Sequence, residues 1–331
     1  MDVGRYGDIL RQCFPHLKVA SIAFIGGGTF RVFEVRAGRG AGPGIAAGSS
    51  LIFRFPHGGQ GDLLLQRERR LCAALAASLP VPIPGYEYYS DGCPSFPRPV
   101  AGYRKLPGIS LQDCALGYSA VQQVASQVGE FLSALHSVPP RTLQPIVLPR
   151  LGPTQVMEKQ QALYSEVRQH VYPALSVRER AWTGELFESF LVDPGNLRFK
   201  PVLVHGDLDS SNILCDPADG TLVGIIDFEE ACLGDPAWDF CVLVAEHGPA
   251  FLQALLDAYH LPLDAGFRAR VAFHSRRILF HELLYGLKHG DSRFSQHAME
   301  RLRRAMDGLE PTGGWLVAST AETRTLEGFP P

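Results

Sequence analysis

One stretch limits the fold of this chain more than any other: His205-Gly206-Asp207-Leu208-Asp209-Ser210-Ser211-Asn212-Ile213-Leu214, followed by Gly224-Ile225-Ile226-Asp227-Phe228. Val202–Val204 and Leu222–Ile226 are short apolar runs that read as strands flanking Ile213-Leu214, so a polar loop leaves one strand and enters another. Asp207 and Asn212 stand five residues apart, and Asp227 ends the next strand. Phosphoryl transfer needs a carboxylate to orient the attacking hydroxyl and accept its proton, together with Mg²⁺ ligands to hold the β- and γ-phosphates. Taken singly, an Asp after His-Gly is a turn residue and Ile-Asp-Phe is strand-end punctuation. Together, in this order and spacing, they point to catalysis, the three residues supplying both a base and metal ligands.

The charge distribution bears on partners. A net charge of −3 over 331 residues, with no basic tract, argues against nucleic-acid binding, which rests on Lys and Arg neutralising phosphates. Residues 1–103 carry 11 Lys/Arg against 7 Asp/Glu, whereas 104–331 carry 20 against 27. Between Pro201 and Phe267 there is no Lys or Arg but twelve acids, which favours a cationic small-molecule acceptor. Asp209, Glu229, Glu230 and Glu246 are the candidates to bind it, against the plainer reading of a solvated face; Asp216 and Asp219 sit in a DPADG turn. The seven cysteines are scattered and never spaced C-x-x-C, so neither a disulfide framework nor a zinc site is expected. The first ten residues are charged where a signal peptide needs an apolar run, and no run of about 18 apolar residues occurs, so the expectation is a cytoplasmic protein without a membrane span.

Ile22–Ile25, Val32–Val35 and Leu51–Phe55 read as strands, the first two joined by Gly26-Gly27-Gly28-Thr29-Phe30. Residues 36–50 are rich in Gly, Ala and Ser and read as a flexible loop, and the tail from Pro311 as loosely held. Leu64, Leu65, Glu68, Leu71, Cys72 and Leu75 follow helical spacing, which places Glu68 on an apolar face where a carboxylate needs a partner. Tyr86–Tyr89 and Pro99–Leu106 are strand-like, and Pro107-Gly108 marks a boundary beyond which helical patterns dominate. Ser119 is placed to cap the first of these helices. The scattered histidines, His136, His170, His274, His281 and His289, gather no metal-ligand spacing and read as core or surface residues.

With HGDLDSSNIL and IDFEEACLGDPAWDF in view, the chain resembles the aminoglycoside phosphotransferase family of the protein-kinase-like fold. FIGGGTFRVFEV resembles the phosphate loop, LIFRFP the third strand, VAGYRKLPGISL the hinge, and FLSALHSVP and HELLYGLKHGD two family helices. The hinge and C-terminal helix are most similar to those of aminoglycoside 2''-phosphotransferases. The resemblance implies an α+β, bilobal protein-kinase-like fold: an N-terminal antiparallel sheet with one main helix in residues 1–103, a hinge at 104–109, and a mainly helical catalytic lobe at 110–331. It also implies ATP or GTP as donor, Mg²⁺ as cofactor, and a nucleotide site built on Gly27, Gly28, Thr29, Arg54, Glu68, Tyr103, Arg104 and Leu106. By the same resemblance Asp207 would be the base, Asn212 and Asp227 the Mg²⁺ ligands, and His205 and Asp239 supports of the catalytic and metal loops. A monomer or homodimer is expected.

The chain departs from the family at Arg54, where the kinase fold usually places a lysine that grips phosphate and pairs with the helix carboxylate, here Glu68. Guanidinium keeps the charge but is broader and binds in a fork. The segment from Asp227-Phe228 to Gly234-Asp235-Pro236 is too short to seat a peptide, which favours a small hydroxyl acceptor, an aminoglycoside first. A macrolide, choline, homoserine or sugar acceptor is the alternative, and a nucleotide-binding pseudokinase a further one. Tyr103, at the gatekeeper position by resemblance, would narrow the base pocket and favour GTP at least as well as ATP, unless it is only a core aromatic.

Overall fold

The computed structural model describes residues 2–40 and 45–308. The N-terminal part begins with α1 (Val3–Cys13), then β1 (Val19–Gly27), β2 (Phe30–Ala37), β3 (Ser50–Pro56), α2 (Gly59–Leu75), β4 (Tyr88–Ser90) and β5 (Val100–Arg104). The strands form one antiparallel sheet in the order β1-β2-β3-β5-β4. Both faces are covered, which is why β3 is buried along nearly its whole length rather than on alternate residues. On one face Phe33, Val35, Leu51, Phe53 and Phe55 pack against Tyr6, Ile9 and Leu10 of α1. The other face carries Arg54 and Tyr103 and receives α2, whose Leu65 meets Phe30 and Ala101. Helix α1 has no counterpart in the sequence reading; the signal was there in Tyr6, Ile9 and Leu10 at helical spacing, with Asp2 accepting from the Arg5 N–H at 3.2 Å as its cap.

From β5 the chain passes through residues 105–108 to β6 (Ile109–Ser110), which already pairs with the C-terminal part. Gly108 has φ +86°, and a Cβ there would lie 2.6 Å from the Cys215 carbonyl oxygen, so glycine is required at this crossing. The remainder comprises α3 (Tyr118–His136), α4 (Pro140–Leu143), α5 (Pro153–Glu166), α6 (Val177–Val192), β7 (Val202–Val204), β8 (Ile213–Cys215), β9 (Leu222–Ile225), β10 (Cys232–Gly234), α7 (Trp238–His247), α8 (Pro249–Asp257), α9 (Phe267–His289) and α10 (Ser292–Met306). The cap of α3 is Gly117 with no side-chain bond, so Ser119 lies inside the helix rather than capping it. Of the glycine-rich stretch, 41–44 lie outside the described residues, as does the tail from Pro311.

The main core joins α3, α7 and α8 to the small strands. Phe131, Leu132, Leu135, Phe240, Leu243, Phe251 and Ile213 are fully buried in it, each worth about 1.5–3 kcal/mol of transfer from water. This core fixes the strands that carry the polar loop. Among the described residues no helix is long and apolar enough to cross a membrane.

Candidate active site

The loop between β7 and β8 owes its shape to Asp239, a fully buried carboxylate in the first turn of α7. Its Oδ2 accepts from the His205 backbone N–H at 2.8 Å and its Oδ1 from that of Gly206 at 2.9 Å. His136, from α3, reaches the same Oδ2 with Nε2 at 3.0 Å while its Nδ1 meets the Tyr259 hydroxyl at 2.8 Å. His136 is thus a core residue, as its spacing indicated, with a role its spacing did not reveal. His205 accepts from the Asp207 N–H on Nδ1 (3.3 Å), so its Nε2 carries the proton and donates to the Ile226 carbonyl at 3.0 Å. One imidazole therefore ties the polar loop to the end of β9. Gly206 turns at φ +87° with the Glu230 carbonyl only 2.4 Å from where a Cβ would stand.

Asp207, directly after this anchored turn, is exposed at the loop's crest, where a carboxylate can meet a hydroxyl from solution. Asn212 is buried, and its Nδ2 donates to the Asp207 carbonyl oxygen at 2.8 Å. That bond turns the amide oxygen Oδ1 away from the loop. Antiparallel pairing of β8 with β9, continued by the Ile226 N–H to the Asn212 carbonyl at 3.0 Å, brings Asn212 beside Asp227. Asp227 is the one non-glycine residue with positive φ among those described (φ 69°, ψ 63°), a conformation costing about 1–2 kcal/mol. It persists because both flanks are held: Ile226 by His205, and Phe228, whose N–H donates to Glu68 Oε1 at 3.3 Å.

The expected pair of Arg54 and Glu68 is present, at 2.6 Å between Nη1 and Oε2, both side chains buried. Arg54 does more, since its Nη2 donates to Asp227 Oδ1 at 2.9 Å and to Glu229 Oε2 at 2.6 Å, while its guanidinium carbon lies 4.1 Å from the Phe30 ring centroid. Burial alone would lower the Arg54 pKa, but the surrounding carboxylates, Asp227 and Glu68 foremost, override it and hold the guanidinium charged. Burial raises the pKa of Glu68, with Arg54 opposing it. Glu229 is pushed well above the usual carboxylate range by burial first and the Asp227 charge second. Glu68, Asp227 and Glu229 bring their oxygens within 4.8 Å of one another, the only such group of potential cation ligands among the described residues.

A model of the phosphotransferase enzyme family matches residues 22–273, from β1 through the first part of α9. The chain belongs to the phosphotransferase enzyme family. Viomycin phosphotransferase of Streptomyces vinaceus is 28% identical over 193 residues, covering 56% of this chain and 63% of that protein. Among solved structures, the GDP and kanamycin complex of APH(2")-IIIa is 27% identical with a TM-score of 0.78, covering 92% of this chain and 98% of its own. Macrolide 2'-phosphotransferase type I, 20% identical with a TM-score of 0.70 over 91% of this chain and 97% of its own, shares the fold.

Within this family fold, the rest of the expected nucleotide site lies as follows. Gly27 closes β1, the Gly28 N–H donates to the Phe30 carbonyl at 3.0 Å, and the Thr29 carbonyl accepts from the His57 N–H at 3.2 Å, so the glycine turn is a tight hairpin. Tyr103 is buried on the Arg54 face of the sheet, edge-on to Tyr86 at 5.1 Å between centroids. Arg104 points outward and pairs with Glu87 at 3.0 Å; Leu106 packs by Gly224.

The acid-rich stretch is largely neutralised by the chain itself. Asp235 and Asp264 bind Arg270 at 2.7 Å, from outside the stretch, and Asp216 and Asp219 cap turn N–H groups. Of the four acceptor candidates, Asp209 is buried and accepts from the Ser211 N–H and hydroxyl, and Glu246 accepts from the Ser210 N–H and hydroxyl at 3.0 and 2.6 Å. Both shape the loop between β7 and β8. Glu229 faces Arg54 across the sheet-to-helix gap instead of an open acceptor surface, because the left-handed turn at Asp227 rotates it inward. Glu230 is half-buried beside Gly206; its carboxylate makes no hydrogen bond to a described residue, and burial raises its pKa while Arg67 opposes that rise.

Proposed function

We propose that this chain is a small-molecule kinase that transfers the γ-phosphoryl group of ATP or GTP to a hydroxyl of a cationic antibiotic, an aminoglycoside first. The observation that carries the reading is the anchored loop, in which one imidazole and one buried carboxylate present Asp207 in the open beside Asn212 and Asp227. Asp207 orients the acceptor hydroxyl and takes its proton as the oxygen attacks phosphorus. The donor set fits Mg²⁺, which takes hard oxygen ligands: the Asn212 amide oxygen, fixed by the bond from Nδ2, and the Asp227 carboxylate. When bound, the metal ion neutralises charge on the β- and γ-phosphates. Arg54, charged and braced by Glu68, lends its positive charge to the phosphate site from the sheet side. Glu230, beside the catalytic turn, is the acid placed to receive an acceptor amine. Likeness to a viomycin enzyme and to a kanamycin-bound structure supports a polycationic acceptor. The seven free cysteines support a reducing cytoplasm.

Turnover of ATP and GTP measured alone and with kanamycin, viomycin, a macrolide, choline, homoserine and a sugar tests the reading. Phosphorylated kanamycin or viomycin is the expected product. Acceptor-dependent turnover with only an uncharged compound would remove the cationic acceptor, and nucleotide binding without any turnover would make the chain a pseudokinase.

A further inference from the structure

Resting on the kinase reading above, we infer that Glu229 is a positioning residue for the metal–nucleotide site, acting through Arg54: it receives the guanidinium so that Asp227 can turn to the metal. The geometry is asymmetric. Arg54 gives Nη1 to Glu68, but its Nη2 is shared between Asp227 at 2.9 Å and Glu229 at 2.6 Å. With Asp227 engaged this way, one of its two oxygens is occupied by a cation where a metal ligand is needed. Nε of Arg54 is buried with no hydrogen-bond acceptor, and the Phe30 ring covers the guanidinium, so the group has nowhere in solvent to go when Asp227 is withdrawn. A buried guanidinium losing a carboxylate is penalised unless another takes its N–H groups. Glu229, already the nearer of the two, is that acceptor.

A lysine at this position would present one compact charge to Glu68 and would need no second anchor. The forked guanidinium has a second end, and the left-handed turn at Asp227 places Glu229 to meet it.

The test is Mn²⁺ binding to the full chain, with and without a non-hydrolysable nucleotide, read by electron paramagnetic resonance for wild type, Glu229→Gln, Arg54→Met, the double variant and Asp227→Asn. Glu229→Gln is expected to leave Arg54 wholly on Asp227 and to raise the half-saturating Mn²⁺ concentration about tenfold, the change that one charge-assisted hydrogen bond of ~1.4 kcal/mol makes. The effect is expected to vanish in the Arg54→Met background, because nothing then competes for Asp227. An equal loss in that background would make Glu229 a direct metal ligand and overturn the inference. Unchanged Mn²⁺ binding with a raised KM for the acceptor would return Glu229 to acceptor recognition and overturn it as well. Asp227→Asn separates the two readings: if it too leaves Mn²⁺ binding unchanged, the metal assignment of the proposed function has failed, whatever Glu229 does.

Discussion

Replacing Asp239 by Asn probes how far the catalytic loop depends on a single carboxylate. The side chain is fully buried and accepts three bonds, from the N–H groups of His205 and Gly206 and from His136 Nε2. Asparagine keeps the shape but has one oxygen, so whichever way the amide turns, its NH₂ faces a backbone N–H. Two buried donors are then left unsatisfied, at about 1–3 kcal/mol each. The expected loss of stability is about 2–6 kcal/mol, a large share of the ~5–15 kcal/mol that holds a domain together. Urea unfolding followed by tryptophan fluorescence reads it directly, since the largely buried Trp238 adjoins the substitution. With a slope of about 3 kcal/mol per molar, the midpoint should fall by about 0.7–2 M. The kcat should drop at least about tenfold in the folded variant, because Asp207 follows the two anchored N–H groups and a misplaced base loses its advantage. A midpoint within about 0.2 M of wild type would refute the claim that Asp239 holds this loop.

Asp207→Asn should leave nucleotide affinity within about twofold and lower kcat by about 10²–10⁴, as loss of a positioned base does; wild-type turnover in single-turnover mixing would remove Asp207 from the chemistry. Tyr103→Ala, opening the buried space beside Tyr86, should improve kcat/KM for ATP relative to GTP, and an unchanged ratio would show that Tyr103 does not limit the base pocket. Glu179, at the start of α6, has its pKa lowered from 4.5 to about 2 chiefly by its bond from Arg303 of α10. A depressed carboxylate contributes stability that is present above about pH 4.5 and lost as pH falls toward 2, so Glu179→Gln should lower the thermal midpoint at pH 7, with the difference narrowing below about pH 4.5 and closing near pH 2. Parallel curves over that range would exclude the pair as a source of acid sensitivity.

Much of the architecture followed from local pattern. Apolar runs located the sheet strands, and helical spacing placed Glu68 on the inner face of α2, where its burial demanded a cation. The order of Asp207, Asn212 and Asp227 around two short strands also suffices to expect a shared site, because strand pairing brings such positions together. Composition misled in one respect. The Lys/Arg-free acidic stretch suggested an open trap for an amine, whereas the fold supplies its cations from elsewhere: Arg270 from α9 for Asp235 and Asp264, and Arg54 from β3 for Asp227 and Glu229. Charge counted along a chain ignores partners that arrive from distant residues, so only the tertiary structure could show which acids remain for a ligand. The same holds for His136, whose place on α3 was evident but whose bond to Asp239 spans more than a hundred residues. The sequence by itself determined on which elements the candidate side chains stand, since this depends on short-range periodicity and turn chemistry. The tertiary structure decided which of them touch, because side-chain pairing between distant elements depends on the packing of α2, α3 and α7 around the loop, a property of no local segment.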